Sequence, residues 1–431
     1  MSKKKESGCL MTLIKIIIFV FVLMAAWYFI SEKLLKKEER QTPTQAESTE
    51  EQTENTVWET WQESGEETEN WWEEEQTETE ETEDDGIAEA ELDGKFYYEK
   101  LSSEEQAGYR KVAEGIREGQ EQIRIELTEN DQIERVLLYI CNDFPEFFWF
   151  NGAGEWTTYS GGEAYAEVTP QYSCTGEERE QMQAEIESAA QECLWGIDAY
   201  ASDYEKILFV YEYLVNTVDY DGAAENSQNI YSSLVGRRSV CAGYARATQY
   251  LLEQLGVFCT YVEGTTGEEQ EAHAWNLVLC DGDYYYVDTT WGDPIFQESE
   301  GEAPVDNICY DYLCCNEEQL FQTHTLKGYV ELPPCTKMDA NYYVVNGMYY
   351  DTYDRETILA EMNAVIAAGG SQSVFKFANH ELYQQAYADI FDDLIERASE
   401  NLREQYHLER SEYRYQYDDT LNKITIWWKY E

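Results

Sequence analysis

Three residues of this sequence have the side chains needed for acyl transfer through a thiol: Cys241, His273 and Asp288. In such a site the cysteine attacks an amide carbonyl, and the histidine takes up the proton and later returns it. The aspartate fixes the imidazole tautomer and stabilises its cation. This chemistry passes through a thioester, which water would hydrolyse and an amine would convert into a new amide. The sequence leaves both acceptors open.

Cys241 is placed at the start of a predicted helix. In the segment CAGYARATQYLLEQLG, apolar side chains recur on one stripe and Gly256 is positioned to end the helix. The unpaired N–H groups and the positive dipole of a first helical turn stabilise a thiolate, and the same groups can hold an oxyanion. The position therefore suits a nucleophile. Tyr244 lies on the apolar stripe, which favours packing over a role in the cleft.

His273 and Asp288 are predicted to lie on the two strands of a β-hairpin. The segment HAWNLVLCDGDYYYVDTTW has Asp281-Gly282 at its centre, a strong signal for a two-residue turn. If the residues on either side of this turn pair with each other, His273 lies opposite Thr290 and shares a sheet face with Asp288 as a diagonal neighbour. A slip of one residue would put the two side chains on opposite faces.

Four motifs of this region resemble the bacterial transglutaminase-like superfamily, a branch of the papain-like cysteine enzymes. They are SVCAGYA (Ser239–Ala245), YVEG (Tyr261–Gly264), HAWN (His273–Asn276) and VDTTW (Val287–Trp291). Three of them each hold one residue of the Cys, His and Asp set, in the family's order. Family members include crosslinking enzymes, peptidases and proteins with no known activity.

The resemblance covers residues 205 to 335 and implies an α+β fold with a papain-like or transglutaminase-like core. In such a core the helix that bears the cysteine packs on an antiparallel sheet, which supplies the histidine and the aspartate. Thr289 departs from the family, in which a proline is frequent after the aspartate. We expect this difference to alter the rim of the site.

Other residues near these motifs are expected to be structural. His324 follows the core strands and is assigned a capping or structural role, while Trp275 and Asn276 either line the site or pack in the core. No group of His, Cys and carboxylate residues has metal-ligand spacing, so neither a metal nor another cofactor is expected. Three cysteines are interpreted as small hydrophobes: Cys193, Cys259 and Cys280.

The catalytic core is predicted to have a folded module on each side. Residues 95–200 are predicted to form a mainly helical domain with a small hairpin, residues 201–335 the transglutaminase-like core, and residues 336–431 a small α+β domain. In the last domain, Asn346-Gly347 predicts a β-hairpin. A long helix, about His380 to Gln405, is followed by two strands that meet around Asp418 to Asn422.

The N-terminal residues predict a membrane anchor. Residues Leu10 to Ile30 are almost wholly apolar, and a helix of that length can cross a hydrocarbon core of ~30 Å. Residues 1–9 then form a cytoplasmic tail, and residues 31–94 form an acidic, disordered linker that carries the catalytic part outside the cell. A cleaved signal peptide is the alternative, although Ala25 and Ala26 are followed by further apolar residues rather than by a clean small-residue site.

The formal net charge of -57 bears on the choice of partners. Because a chain this acidic is repelled by phosphate backbones, we expect no nucleic-acid partner. The sequence therefore favours a membrane-tethered, extracellular cysteine peptidase or acyltransferase that acts on a protein or peptide amide. The alternative is a surface module that keeps a transglutaminase-like fold for binding or structure and has no activity.

Overall fold

The computed structural model describes residues 87–88, 91–198, 200–267, 269–293 and 308–430. The predicted membrane helix at residues 10–30 and most of the linker at residues 31–94 lie outside these ranges. Among the helices within them, none combines the length and the apolar character that crossing a membrane requires. The folded part begins before the predicted boundary at residue 95, because Ile87 and Leu92 are each only 2% exposed.

The N-terminal segment forms helices and a small antiparallel sheet, as the sequence predicts. Ser102 and Glu105 make the predicted capping box at the first helix, each side chain accepting the other residue's backbone N–H. The elements are α1 (Ser103–Glu118), β1 (Ile123–Ile125), α2 (Asn130–Asp143), β2 (Phe150–Tyr159), β3 (Tyr165–Tyr172) and α3 (Gly176–Leu194). The three strands are ordered β1-β3-β2, so the predicted hairpin of β2 and β3 is confirmed.

The middle of the chain contains the helix and the sheet that carry the predicted catalytic residues. Its elements are α4 (Asp203–Thr217), β4 (Asp219–Tyr220), α5 (Ile230–Leu234), β5 (Arg238–Ser239), α6 (Cys241–Gln254), β6 (Cys259–Thr266), β7 (Glu271–Cys280), β8 (Asp283–Val287), α7 (Thr289–Gly292), α8 (Glu317–Leu320) and β9 (His324–Leu326). Strands β6 to β9 form an antiparallel sheet in the order β8-β7-β6-β9. The Asn276 side chain of β7 donates to the Ala245 carbonyl of α6 across 2.9 Å and so ties the helix to the sheet.

The C-terminal segment is a second α+β unit. Its elements are α9 (Tyr342–Val345), β10 (Tyr349–Tyr350), α10 (Arg355–Ala367), β11 (Gln372–Phe377), α11 (His380–Asp389), α12 (Ile395–Tyr406), β12 (Glu412–Asp418) and β13 (Lys423–Lys429). One π-helical stretch, Ile390–Leu394, joins α11 to α12, so the predicted long helix is present with a bulge in it. The last two strands pair as predicted, in a sheet ordered β10-β11-β13-β12.

The predicted hairpin at Asn346-Gly347 is wrong. The residues before it form the short helix α9, whose N–H groups are capped by Asn341, and Gly347 follows that helix with a φ of +69°. A glycine with positive φ ends a helix as readily as it makes a tight β-turn, so the same dipeptide serves either structure. Strand β10 then pairs in parallel with β11 rather than with the preceding residues.

The described residues form two large apolar cores. The first mixes side chains from the N-terminal segment and from α4, α6 and the central sheet, and the second belongs to the C-terminal segment. A buried cluster of three charged residues links the C-terminal sheet to the middle of the chain. Asp311 accepts from Lys376 on β11 and from Lys423 on β13, and we call this group the Asp311 cluster.

Candidate active site

Cys241 is the first residue of α6, as its motif predicts. The helix has Val240 at its N-cap, a residue without a side-chain hydrogen bond to the first turn. The approach to the helix is tightly packed, because a Cβ atom on Gly243 would meet the Ser239 hydroxyl at 1.9 Å. Only glycine therefore fits at this point of the SVCAGYA motif. The thiol itself is partly exposed.

The hairpin that carries His273 and Asp288 has the predicted register over most of its length. Cys280 pairs with Asp283 at the turn, and Asn276 pairs with Val287 at the other end of the ladder. The ladder stops there, so the predicted pairing of His273 with Thr290 is wrong. The chain turns instead into α7, and the Asp288 carboxylate caps this helix by accepting two backbone N–H groups.

His273 and Asp288 are in direct contact. The Nε2 atom of His273 lies 2.7 Å from Oδ2 of Asp288, and their side chains are 4% and 0% exposed. Burial alone would lower the pKa of the imidazole, but the Asp288 carboxylate and the hydrogen bond of the Cys241 thiol raise it to about 10. Burial alone would raise the pKa of Asp288, but His273 and then His324 hold it well below its usual range.

The Cys241 thiol also acts on this imidazole, since it raises the pKa of His273 through a hydrogen bond and through its charge. Because Nε2 is bonded to Asp288, Nδ1 is the ring nitrogen left for the thiol. The structure therefore brings all three predicted residues together in the order Cys241, His273, Asp288. In this order a thiol, a base and an orienting carboxylate form the chain of contacts that thiol catalysis requires.

His324 belongs to this site, although the sequence assigned it only a structural role. Its Nε2 atom lies 3.0 Å from the same Asp288 Oδ2 that contacts His273, and its side chain is fully buried. We call Asp288, His273 and His324 the Asp288 cluster. His324 is one of only four histidines in the chain, and this scarcity was the one signal in the sequence that could have drawn attention to it.

Aromatic rings surround the cluster. The Trp275 ring stacks near His273, with 6.0 Å between the ring centroids, and meets His324 edge-on at 5.1 Å. The ring of Trp291 lies 4.9 Å from that of His324. Trp275 thus both packs in the core and forms part of the site wall. Its ring fits because Gly264, in the YVEG motif, has no Cβ; an added Cβ would meet Trp275 at 2.4 Å.

Three further residues of the motifs have structural roles. Asn276 ties β7 to α6, as described above. The Tyr244 hydroxyl lies 2.9 Å from an Asp293 carboxylate oxygen, so this buried tyrosine is hydrogen-bonded as well as packed. Thr289, where a proline is frequent in the family, is buried with its hydroxyl 3.1 Å from that of Thr248 on α6. The departure therefore lies at a contact between α6 and α7.

The other cysteines named in the sequence analysis are packed inside the protein. Burial raises the pKa of Cys193 and of Cys280 to about 12, and that of Cys259 well above its ordinary value. All three are buried and unpaired. A thiol held in its protonated form is a poor nucleophile, which agrees with their interpretation as small hydrophobes.

The Asp288 cluster also contains donor atoms that could bind a metal ion. One ligand atom from each of His273, Asp288 and His324 lies within 4.8 Å of the others. The spacing of residues along the chain did not predict this group, because the three residues lie on three different elements. The distances of 2.7 Å and 3.0 Å from the Asp288 oxygen to the two imidazole nitrogens are, however, those of ordinary hydrogen bonds.

Comparisons with known proteins find similarity in the same region of the chain. Residues 196–289 match the model of the transglutaminase-like superfamily. Over 138 residues, the chain is 27% identical to the kyphoscoliosis peptidase of Homo sapiens and 28% identical to that of Mus musculus, in each case over 28% of this chain. The match spans 20% of the length of each relative.

Among solved structures, the crystal structure of a TGase is 14% identical to this chain, with a TM-score of 0.23. The match covers 43% of this chain and 54% of the TGase chain. Residues 196–289, which match the family model, contain α4, α6 and the central hairpin, which together form an α+β core. The similarity to the transglutaminase-like superfamily therefore lies in residues 196–289.

Proposed function

We propose that the chain is a cysteine enzyme that transfers or hydrolyses the acyl group of a protein or peptide amide. The observation that carries this proposal is the position of the His273 imidazole, between the Asp288 carboxylate and the Cys241 thiol. An imidazole with a pKa of about 10 is protonated at neutral pH, and an imidazolium beside a thiol favours its thiolate form.

The steps follow from these contacts. The Cys241 sulfur attacks the amide carbonyl, and the N–H groups at the start of α6 can donate hydrogen bonds to the resulting oxyanion. His273 then gives its proton to the leaving amine, and a thioester remains on Cys241. Water or a second amine, deprotonated by His273, attacks the thioester and releases an acid or a new amide. Asp288 keeps the imidazole in its productive orientation throughout.

The test is the rate at which iodoacetamide alkylates Cys241 between pH 5 and pH 9. Trypsin releases this residue in the peptide Ser239–Arg246, which holds no other cysteine, and it releases the buried Cys193 alone in Glu180–Lys206. Mass spectrometry can therefore follow a candidate nucleophile and an internal reference in one sample.

In the parent chain, we expect Cys241 to react at pH 6 to 7 while Cys193 stays unmodified. In His273→Ala the rate at pH 7 should fall about 30-fold, because an isolated cysteine is only a few per cent thiolate there. If Cys241 of the parent reacts no faster than it does in His273→Ala, the enzyme proposal is wrong and an inert binding module is favoured.

The proposal also includes a location, which rests on the sequence of residues 10–30 alone. We propose that this segment anchors the chain in a membrane and that the catalytic part lies outside the cell. Proteinase K added to intact cells that express the chain should then remove the catalytic part. Its removal only after lysis would contradict this location and would leave the thiol chemistry unaffected.

A further inference from the structure

His324 reaches the candidate site from the far side of the sheet. Asp288 follows β8 at one edge, whereas His324 begins β9 at the other edge, where it pairs with Thr266 of β6. The two residues are 36 positions apart in the chain, yet Nε2 of His324 lies 3.0 Å from Oδ2 of Asp288. This contact therefore joins the two outer strands across the face that carries His273.

The contact completes the hydrogen bonding of the Asp288 carboxylate. Oδ1 accepts the N–H groups of Thr290 at 2.9 Å and Trp291 at 3.1 Å, and Oδ2 accepts His273 and His324. An ionised carboxylate has about four lone-pair positions, so these four donors occupy all of them. A carboxylate held at every position cannot rotate without breaking a buried hydrogen bond. Removal of His324 leaves one acceptor position of this buried carboxylate without a donor and so weakens its hold on one orientation.

The tautomer of His324 follows from the contacts of its two ring nitrogens. Nδ1 lies 2.8 Å from the Thr323 hydroxyl, which can donate to it, and that hydroxyl lies 3.1 Å from the hydroxyl of Tyr312. Because an ionised carboxylate only accepts, the proton of His324 belongs on Nε2. Both nitrogens of a neutral His324 are thus satisfied, and the donor is directed at Asp288.

We propose that His324 is a positioning residue that locks the Asp288 carboxylate in the orientation from which it holds His273 toward Cys241. This role rests on the proposed function, in which Cys241 is the nucleophile. His324 does not touch the thiol or the substrate in this role. It acts only through Asp288, as the fourth donor to a carboxylate that Thr290, Trp291 and His273 also hold.

The first measurement is the tautomer of His324 in the full chain, read from the imidazole ¹⁵N spectrum. The chain has only four histidines, so His324→Gln identifies the signal by its loss. We expect a protonated Nε2 and an unprotonated Nδ1 at pH 7. Thr323→Val, which removes the hydroxyl that donates to Nδ1, should move the Nδ1 signal of His324 and leave the other histidines in place.

The second measurement compares two substitutions at His324 by the rate at which p-nitrophenyl acetate acetylates Cys241, followed in the Ser239–Arg246 peptide. Glutamine places an amide N–H where the imidazole has Nε2, whereas leucine fills the space without a donor. We expect His324→Leu to slow acetylation about tenfold to hundredfold, the worth of one hydrogen bond to a charged group. His324→Gln should restore most of the parent rate, although the two variants differ little in thermal stability.

The outcomes separate this proposal from the proposed function. An Nε2 of His324 without a proton, a rate in His324→Leu equal to that of the parent, or an equal loss in both variants would each overturn the positioning role. So would one equivalent of Zn²⁺ bound by the parent and lost in His324→Leu, because Nε2 would then be a metal ligand and not a donor. If Cys241 of the parent proves unreactive, the proposed function fails, and the tautomer alone still decides whether His324 donates to Asp288.

Discussion

Two fully buried carboxylates of this protein have similar surroundings and different consequences. Asp288 accepts from two imidazoles, and Asp311 accepts from the ammonium groups of Lys376 and Lys423. Burial alone would raise the pKa of each carboxyl, but these partners hold both well below the usual range. Burial, charge and pairing therefore do not distinguish a candidate active site from a structural ion cluster.

The difference lies in what the partners can do on their other side. A lysine ammonium has donors only, so in the Asp311 cluster the interaction ends at the amine. An imidazole has a second nitrogen, through which His273 can exchange a proton with Cys241. Cys309 shows the contrast, because its thiol lies 3.2 Å from the Asp311 carboxylate itself. Burial, and then this negative charge, raise the pKa of Cys309 to about 12.

The largest expected effect separates the two carboxylates by their role in chemistry. In Asp288→Asn, acetylation of Cys241 by p-nitrophenyl acetate should slow about 10²- to 10⁴-fold, because an amide does not stabilise the imidazolium and favours the wrong tautomer. Asp311→Asn, assayed well below its unfolding midpoint, should leave the rate near that of the parent. Equal losses in the two variants would mean that neither carboxylate acts specifically on the thiol.

The second expected effect is on the stability of the fold and concerns Asp311. Asp311→Ala leaves two ammonium groups without their carboxylate, one of them on a side chain only 4% exposed. We expect the free energy of unfolding to fall by about 3–5 kcal/mol, as when one partner of a buried ion pair is removed. Asp393→Ala, which breaks the exposed pair with Arg355, is the matched control and should cost much less. Urea denaturation measures both; a similar small loss in each would show that the Asp311 cluster is not a structural link.

The third effect is the pH dependence of stability. The folded-state pKa of His273, about 10, lies above its ordinary value of 6.5. The stability that this shift contributes is fully present below pH 6.5 and is lost as the pH rises through about 10. The Asp311 carboxyl, with a lowered pKa, loses its contribution on the acid side instead, as the pH falls below its ordinary range.

Urea denaturation at pH 6.5, 8 and 10 can detect this difference. The parent should lose more stability across this range than His273→Gln, in which the titrating imidazole is absent. Parallel pH profiles for the two proteins would show that the Asp288 carboxylate does not stabilise a protonated His273.

The two clusters also differ in how much of each the sequence could predict. Cys241 was identified from its position at the start of an amphipathic helix, and the contact of His273 with Asp288 followed from the turn at Asp281-Gly282. Both inferences depend on local patterns, in which helix periodicity and turn chemistry fix which residues meet. The family match covers residues 196–289, which contain all three residues.

The partners that the sequence missed are brought in by tertiary contacts. Strand β9 is three residues long, and no local pattern fixes its pairing with β6, so the contact of His324 with Asp288 could not be derived. The separation of Asp311 from Lys423 is larger still, at 112 residues.

A local signal was present where Asp288 caps α7, because Asp is typical of the residue before a helix start. The remaining domain boundaries and the membrane anchor stay predictions.

The smallest effect tests whether the wall around the Asp288 cluster matters for stability. In Gly264→Ala the new Cβ would meet the Thr325 carbonyl of β9 at 2.1 Å and the Trp275 ring at 2.4 Å, so β6 and β9 must move apart or the ring must shift. Overpacking of this kind costs about 1–3 kcal/mol. Gly222→Ala is the matched control, because its Cβ would have no neighbour within 4 Å and its φ is not in the left-handed region. Thermal unfolding should show a lower Tm for Gly264→Ala alone.

Because His324 is carried by β9, the same variant should also slow Cys241 acetylation if the strand's position fixes the donor to Asp288. A loss of Tm without any loss of rate would show that Gly264 serves packing only.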